Sequence, residues 1–220
     1  MVRERPTSAA EYAAGKLRLA IINGDMEPGA RIHQHALADE MGVSHVPLRE
    51  AVQRLESEGF VAIHPRRGAF VMPLSREDVA EIYDLKLDLE TKALSLSVPN
   101  LTAADMQAIQ DRCREADSSK DVIQYGKLSK QFHLALYSGA KRPRLMNMIQ
   151  GLWANSERYT ILLRHVRAPF DQSQLDHWDI AEAVLAKDVD TACTILARHI
   201  HTAGLEIDSI LAEKGMEFSG

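Results

Sequence analysis

The sequence predicts a mainly α-helical protein: an N-terminal winged helix-turn-helix of three helices and a β-hairpin wing, followed by an all-α antiparallel bundle of six or seven helices. Three observations predict this fold class. Two short helical patterns meet at Gly42 within residues 34–59. Two short strand patterns flank a basic turn within residues 61–73. Beyond the wing the apolar spacing is helical throughout. The expected domains are residues 1–74 and 75–220.

The chain is expected to begin with a flexible arm over residues 1–8. Apolar residues at helical spacing predict a first helix over residues 9–23. The stretch that follows, residues 23–30, contains Gly, Pro and Asp and predicts a loop.

Two further helices are predicted from apolar spacing and from residues typical of helix ends. The first of them has apolar residues at helical spacing, Leu37, Ala38 and Met41. Gly42 then suits a turn with left-handed backbone, because it lacks a Cβ. Ser44 is a good N-cap for the next helix, Pro47 is tolerated in the first turn, and Gly59 ends it. The buried stripe of that helix is Leu48, Ala51, Val52 and Leu55.

A helix, a short turn with Gly and a second helix are the composition of a DNA-binding helix-turn-helix, although an ordinary helical hairpin has the same local pattern. Such helices meet base edges and phosphates near their N-terminus. In this chain that position holds Ser44, His45, Val46 and Arg49.

A wing is predicted directly after the second helix, with strands at Val61–His64 and Ala69–Met72 and a basic turn that ends in Gly68. Arg66 and Arg67 at its tip are placed to contact a phosphate backbone or a minor groove. Residues 1–74 hold nine Lys and Arg against nine Asp and Glu. DNA binding would therefore depend on a local basic patch.

The rest of the chain predicts a helical bundle. Its helices are expected near 76–98, 102–118, 120–138, 143–167, 171–186 and 188–213. Pro73 and Leu74 are expected to link the two domains, and Ser75 is expected to cap the first bundle helix.

Three histidines, His133, His177 and His199, lie among apolar neighbours on separate predicted helices. A single histidine on an apolar face is more often a hydrogen-bonded core residue. Three on facing helices also supply what zinc requires, which is a set of converging neutral imidazoles. The residues alone leave both interpretations open.

Composition limits the class of protein. With 45% hydrophobic and 26% charged residues among 220, the chain is long enough and apolar enough for a real core. Its two cysteines indicate no disulfide framework. No apolar run approaches the roughly 18 residues that span a membrane, and no signal-peptide pattern occurs. We expect a cytoplasmic protein with no membrane partner.

The N-terminal part resembles the winged helix of the GntR family of bacterial transcription regulators. The residues that match the family pattern are Gly24, Pro28, Gly29, Ile32, Leu37, Ala38, Gly42, Val43, Ser44, Pro47, Leu48, Arg49, Glu50, Ala51, Leu55, Gly59, Phe60, Arg66 or Arg67, Gly68 and Val71. The resemblance implies a regulator that binds double-stranded DNA. The residues implied at the DNA are His35, Ser44, His45, Val46, Arg49, Arg66, Arg67 and Gly68.

The chain departs from that family at His35, where Arg or Glu is common, and at His45, where Arg is usual. We expect a changed operator sequence, because arginine contacts guanine bidentately and histidine does not. The alternative is a DNA affinity that rises as pH falls through the histidine range.

The C-terminal part resembles the FCD ligand-binding domain of the FadR-like GntR regulators. The matching residues are Glu81, Ile82, Tyr83, Leu89, Glu90, Phe132, His133, Asp176, His177, Ile180, Ala183, Val184, Asp188, Ala192, His199 and Ile200. Lys86 stands where the family has Arg. In metal-binding members an Asp four positions before the middle histidine joins the three histidines, and here that position is Ser129.

The resemblance therefore allows two kinds of site. In one, His133, His177 and His199 hold a divalent metal, zinc first, with nickel and manganese as alternatives. Water or an effector carboxylate would complete the coordination. In the other, a metal-free site binds the effector through the histidines and Lys86. The further effector candidates are Ser129, Arg158 and Arg164.

The function implied is a ligand-responsive homodimeric repressor, which binds a palindromic operator and releases it when a small organic acid binds the bundle. One rival is a metal-sensing repressor whose ligand is the ion itself. Another is a helical-bundle metalloenzyme. We expect no enzyme, because the bundle shows neither a Glu-x-x-His pair of the di-iron kind nor a nucleophile beside a base.

Overall fold

A computed structural model describes residues 8–119, 122–159, 162 and 170–215. The chain divides into two compact units, Met1–Leu74 and Ser75–Gly220. The described part of the first unit contains three α-helices and a small antiparallel sheet, and that of the second contains six α-helices. The predicted fold class is thereby confirmed. The arm expected over residues 1–8 lies outside the described residues except for Ser8.

The helices of the first unit are α1 (Ala9–Asn23), α2 (Gln34–Met41) and α3 (His45–Ser57). Gly42 adopts the predicted left-handed conformation, with φ 65°, and ends α2. Helix α1 packs against α3. The centre of the unit is formed by fully buried apolar side chains, among them Leu17, Leu48, Leu55 and Phe60.

The sheet contains one strand more than the sequence predicted. Strands β2 (Val61–His64) and β3 (Gly68–Val71) form the wing hairpin. The additional strand β1 (Arg31–Ile32) pairs with β3, which gives the strand order β1-β3-β2. Two residues are too short for an alternating pattern to appear, so β1 could not be predicted from periodicity. The buried Ile32 anchors it to the core.

The helices of the second unit are α4 (Arg76–Ser97), α5 (Ala103–Asp117), α6 (Val122–Leu136), α7 (Pro143–Glu157), α8 (Phe170–Leu185) and α9 (Val189–Glu213). Ser75 caps α4 as predicted, since its hydroxyl accepts a hydrogen bond from the Asp78 N–H at 3.1 Å.

Most predicted element ends agree with the structure to within one residue, such as the second wing strand, predicted at Ala69–Met72 and found at Gly68–Val71, and two helix ends differ by more. The helix predicted over residues 120–138 ends at Leu136 and is followed by a short 3₁₀ helix, Ser138–Ala140. The helix predicted over residues 143–167 is described as helical only to Glu157. Most of its remaining length lies outside the described residues.

The bundle places α4 against α7 and α9, and α8 against α5 and α9. Its core is apolar, and the fully buried side chains include Leu94 on α4, Phe132 on α6, Ile149 on α7, Ile180 on α8 and Leu196 on α9. Helices α4, α6, α8 and α9 also contribute buried polar side chains to the site described next, and α7 contributes the partly buried Trp153. None of the described helices is both long enough and apolar enough to cross a membrane.

Candidate functional site

Three buried histidines converge in the second unit. His133 comes from α6, His177 from α8 and His199 from α9. One ring nitrogen from each lies within 4.8 Å of those from the other two. Their ring centroids are 4.9 to 5.3 Å apart. The structure therefore brings together the three residues that the sequence analysis selected.

Two of the three imidazoles contact a carboxylate through their Nδ1 atom. His133 Nδ1 lies 3.2 Å from the Tyr137 hydroxyl and 3.5 Å from Glu90 Oε2. Tyr137 in turn donates to Glu90 at 2.7 Å. His199 Nδ1 lies 3.4 Å from Asp176 Oδ2. Histidines that bind metals are commonly held this way, because the outer carboxylate fixes the tautomer and leaves Nε2 as the ligand atom.

The third imidazole has a different environment. His177 Nε2 lies 3.5 Å from the hydroxyl of Ser129. The centroids of the Phe132 and Tyr125 rings lie 4.6 and 6.1 Å from that of His177. Ser129 is itself buried. The structure thus places Ser129 beside the histidines, and this position adds a hydroxyl and no negative charge.

A buried cation lies next to the histidine cluster. The Lys86 ammonium is 3.5 Å from Glu90 Oε1 and 3.3 Å from the centroid of the Trp153 ring. The Trp153 ring lies 5.1 Å from that of His133. Contact with a carboxylate and an aromatic face is what a buried ammonium requires. Lys86 is therefore part of the same polar cluster.

Several buried polar atoms of this cluster have no hydrogen-bond partner among the described residues. They are His133 Nε2, His177 Nδ1 and Trp153 Nε1, and Glu90 Oε1 has only the Lys86 ammonium at 3.5 Å. Buried polar atoms are rarely left unpaired, so such a group indicates a ligand site. Imidazole lone pairs suit zinc or nickel better than manganese, which prefers oxygen ligands. The residues present therefore fit a divalent metal, and the indole N–H and the ammonium fit an anion beside it.

Burial and pairing set the charges of the site. Burial lowers the pKa of His133 to about 4 and also lowers the pKa of His177. Burial acts to raise the pKa of Glu90, but Lys86, His133 and Tyr137 lower it to about 2. At neutral pH the imidazoles of His133 and His177 are thus uncharged and Glu90 is ionised. Because Lys86 balances Glu90, a divalent ion would leave the site positive and favour an anionic ligand.

We expect the metal-free chain to lose stability in acid. His133 has a lower pKa when folded than when unfolded, so the unfolded chain binds the proton more tightly and stability rises with pH. The loss should begin below the ordinary histidine pKa of about 6.5 and continue to about pH 4. Protonation of Glu90 extends the loss of stability toward pH 2. Urea unfolding of chelator-treated protein at several pH values between 7.5 and 4 measures how the free energy of unfolding changes with pH. A free energy of unfolding that stays flat across the range would contradict the prediction.

The structure describes one of the two arginines that are predicted to contact an effector. Arg158 is buried, and its guanidinium forms an ion pair with Asp78 in the first turn of α4. Tyr159 donates to the same carboxylate at 2.5 Å. The structure thus shows Asp78 as the carboxylate that Arg158 binds, and contact with an effector stays a prediction. Arg164 lies outside the described residues.

The sequence patterns do not assign a role to three residues of the site: Glu90, Tyr137 and Asp176. Two of them stand four residues after a predicted site residue, Lys86 and His133, and this spacing on a helix could have indicated contact. Asp176 stands one residue before His177 on α8. It contacts His199 on α9, which the sequence does not show.

The predicted DNA-contacting residues of the first unit lie on its surface. Ser44, His45, Val46 and Arg49 are exposed at the start of α3, and Val46 is 59% exposed although it is apolar. Arg66 and Arg67 are exposed at the wing tip, where Arg66 has φ 62°. The two remaining predicted residues are His35, exposed on α2, and Gly68, the first residue of β3.

Two family descriptions match this chain. Residues 9–71 match the gntR family of bacterial regulatory proteins. Residues 81–202 match the FCD domain. The two matches follow one another along the chain and correspond to its two compact units.

Individual proteins are also similar to this chain in sequence and in structure. McbR of Escherichia coli, an HTH-type transcriptional regulator, is 32% identical over 133 residues, which are 59% of this chain and 60% of that protein. GlaR of the same organism, an HTH-type transcriptional repressor, is 25% identical over 84% of this chain and 90% of its own. The solved structure of E. coli McbR/YncC has the same fold, with a TM-score of 0.76 at 24% identity over 91% of this chain and 97% of that one.

Proposed function

We propose that this chain, which belongs to the GntR family of bacterial transcriptional regulators and contains an FCD domain, is a homodimeric repressor whose affinity for DNA is set by a ligand in its second unit. It is a DNA-binding regulator and not an enzyme, since the family and the relatives are regulators. The observation that supports the ligand response is the buried cluster of three histidines, two of which have a ring nitrogen with no hydrogen-bond partner among the described residues.

In this proposal residues 1–74 bind the operator. The start of α3 enters the major groove, where Arg49 and His45 contact base edges or phosphates and Val46 contacts a thymine methyl group. Arg66 and Arg67 of the wing contact the phosphate backbone or the minor groove. A homodimer would present two α3 helices to successive major grooves, about 34–36 Å apart, so the operator would be palindromic.

The second unit, residues 75–220, would bind the ligand and form the dimer. His133, His177 and His199 would hold a divalent metal, with zinc favoured because three imidazole nitrogens suit an open zinc site. Such an ion supplies coordination positions for a carboxylate oxygen. The Lys86 ammonium and the Trp153 N–H would donate to the same small organic acid, and the Ser129 hydroxyl is a further donor.

Control of DNA binding requires that the acid bind the free and the DNA-bound forms with different affinity. We propose that it binds the free form better and so releases the operator. GlaR is described as a repressor, which supports this direction. The cytoplasm is the expected location, because the chain acts on DNA.

A metal-sensing repressor is a second candidate. The supporting observation is that the three histidines offer a ligand set for an ion without any organic acid. In that case zinc alone would change the affinity for DNA, and organic acids would have no further effect. The metalloenzyme hypothesis is not retained, because the chain belongs to a family of regulators.

We expect Arg49→Ala to weaken operator binding by roughly ten- to a hundredfold, through loss of one base or phosphate contact. An operator selected from random duplexes with the unmodified chain provides the probe, and fluorescence anisotropy at fixed salt measures the dissociation constant. Arg114→Ala, which removes an exposed arginine of the second unit, is the matched control. Equal affinity of Arg49→Ala and the control would contradict the assignment of α3 as the DNA-contacting helix.

A further inference from the structure

The first unit contains a second pair of histidines, separate from the bundle cluster. His35 is the second residue of α2, and His45 is the first residue of α3. His35 Nδ1 lies 3.3 Å from His45 Nε2, with ring centroids 4.3 Å apart and the planes at 66°. Both side chains are exposed. The pair lies on the surface that the sequence analysis predicts to contact DNA.

The backbone on which the pair stands is well fixed. Helices α2 and α3 pack against each other and are joined through Gly42 in the left-handed conformation. Ala38 on α2 and Leu48 on α3 are fully buried. The two imidazoles are therefore held near each other by the helix-turn-helix itself, and only their side-chain torsions remain free to adjust.

We propose that His35 and His45 form a second metal site, which binds a zinc-like divalent ion on the DNA-contacting surface. Two nitrogen ligands of one tetrahedral zinc, each about 2.0–2.1 Å from the ion, lie about 3.3–3.4 Å apart. That separation equals the 3.3 Å between these two nitrogens. A neutral imidazole can carry its proton on either nitrogen, so both facing nitrogens can offer a lone pair. Water would complete the coordination.

An ion at this site has a consequence for DNA. It would fix both rings and occupy one nitrogen of each, so that neither nitrogen could rotate to contact a base edge. We therefore expect zinc to weaken operator binding by roughly tenfold, which corresponds to loss of one base contact. This consequence rests on the proposed function, whereas binding of the ion does not.

Zinc uptake by the full-length chain tests the site. Equilibrium dialysis against micromolar zinc, followed by elemental analysis, compares the unmodified chain with His35→Ala, His45→Ala and the control His64→Ala, which removes an exposed histidine of the wing. We expect His35→Ala and His45→Ala each to bind one zinc fewer than the unmodified chain and than His64→Ala. All three positions are exposed, and far-UV circular dichroism verifies that the variants fold.

The outcomes separate this site from the bundle site. If His35→Ala and His45→Ala bind as much zinc as the unmodified chain, the pair is only hydrogen-bonded and the proposal is wrong. If the bundle holds no metal, the unmodified chain still binds one zinc, which His35→Ala loses and His177→Ala keeps. Selective broadening or shift of the His35 and His45 ring resonances on addition of zinc gives a second readout, and its absence at saturating zinc would equally overturn the proposal.

Discussion

Replacement of Glu90 by alanine is expected to cost the folded chain roughly 3–5 kcal/mol, the range measured when one partner of a buried ion pair is removed. Glu90 is fully buried, and it faces Lys86, His133 and Tyr137 at once. Without its carboxylate the Lys86 ammonium would be a buried charge with no counterion. The pKa of Glu90, lowered to about 2, shows that the folded chain stabilises the ionised form.

Chemical unfolding at pH 7.5 measures this effect. Asp84→Ala removes an exposed carboxylate from the same helix and should change the free energy of unfolding by no more than about 0.5 kcal/mol. A double variant, Lys86→Met with Glu90→Met, removes both charges and should regain most of the lost stability. A Glu90→Ala chain as stable as Asp84→Ala would show that the Lys86–Glu90 pair does not form.

The second large effect is expected from His177→Ala, which should lower zinc affinity by on the order of a hundredfold or more, because it removes one of three protein ligands. Loss of a buried imidazole also leaves a space between Phe132 and Tyr125. The stability of the variant must therefore be measured beside its affinity.

Competition with a chromophoric chelator measures the zinc affinity of the bundle site. His201→Ala is the matched control, since His201 is exposed on α9, two residues from His199. His177→Gln offers a larger side chain and keeps the variant informative if His177→Ala does not fold. Zinc affinity that is unchanged in a folded His177 variant would show that the histidine cluster is not the metal site.

The sequence predicts most of the fold because local signals set the element ends. Gly42 ends α2 and Ser75 caps α4, and each acts through its own backbone or side chain. Strand β1 has no such signal, because two residues pair with β3 only after the chain has folded.

The closeness of the three bundle histidines could be predicted from the sequence, whereas the contacts that surround them could not. His133, His177 and His199 stand out as polar residues in apolar helical patterns. The contacts that orient them come from other helices: Glu90 on α4 reaches His133, and Asp176 on α8 reaches His199. Such contacts depend on how the helices pack, and periodicity along one helix carries no information about them.

The same limit applies to the residues around the site. Arg158 is predicted from the sequence to bind the carboxylate of an effector. In the structure it binds the carboxylate of Asp78. Asp78 lies 80 residues away in the chain, so the sequence does not show this contact, and binding of an effector by Arg158 stays a prediction. The closeness of His35 and His45 is likewise a property of how α2 meets α3.

Elemental analysis of the full-length chain tests the central claim most directly. The protein is prepared without a histidine tag and without chelator, and it is dialysed to remove weakly bound ions. The account predicts that the bundle site holds close to one zinc per chain, which His177→Ala loses and His35→Ala keeps. A chain that holds no metal, even after incubation with zinc, would contradict it and would leave the histidines and Lys86 to bind an anionic ligand without an ion.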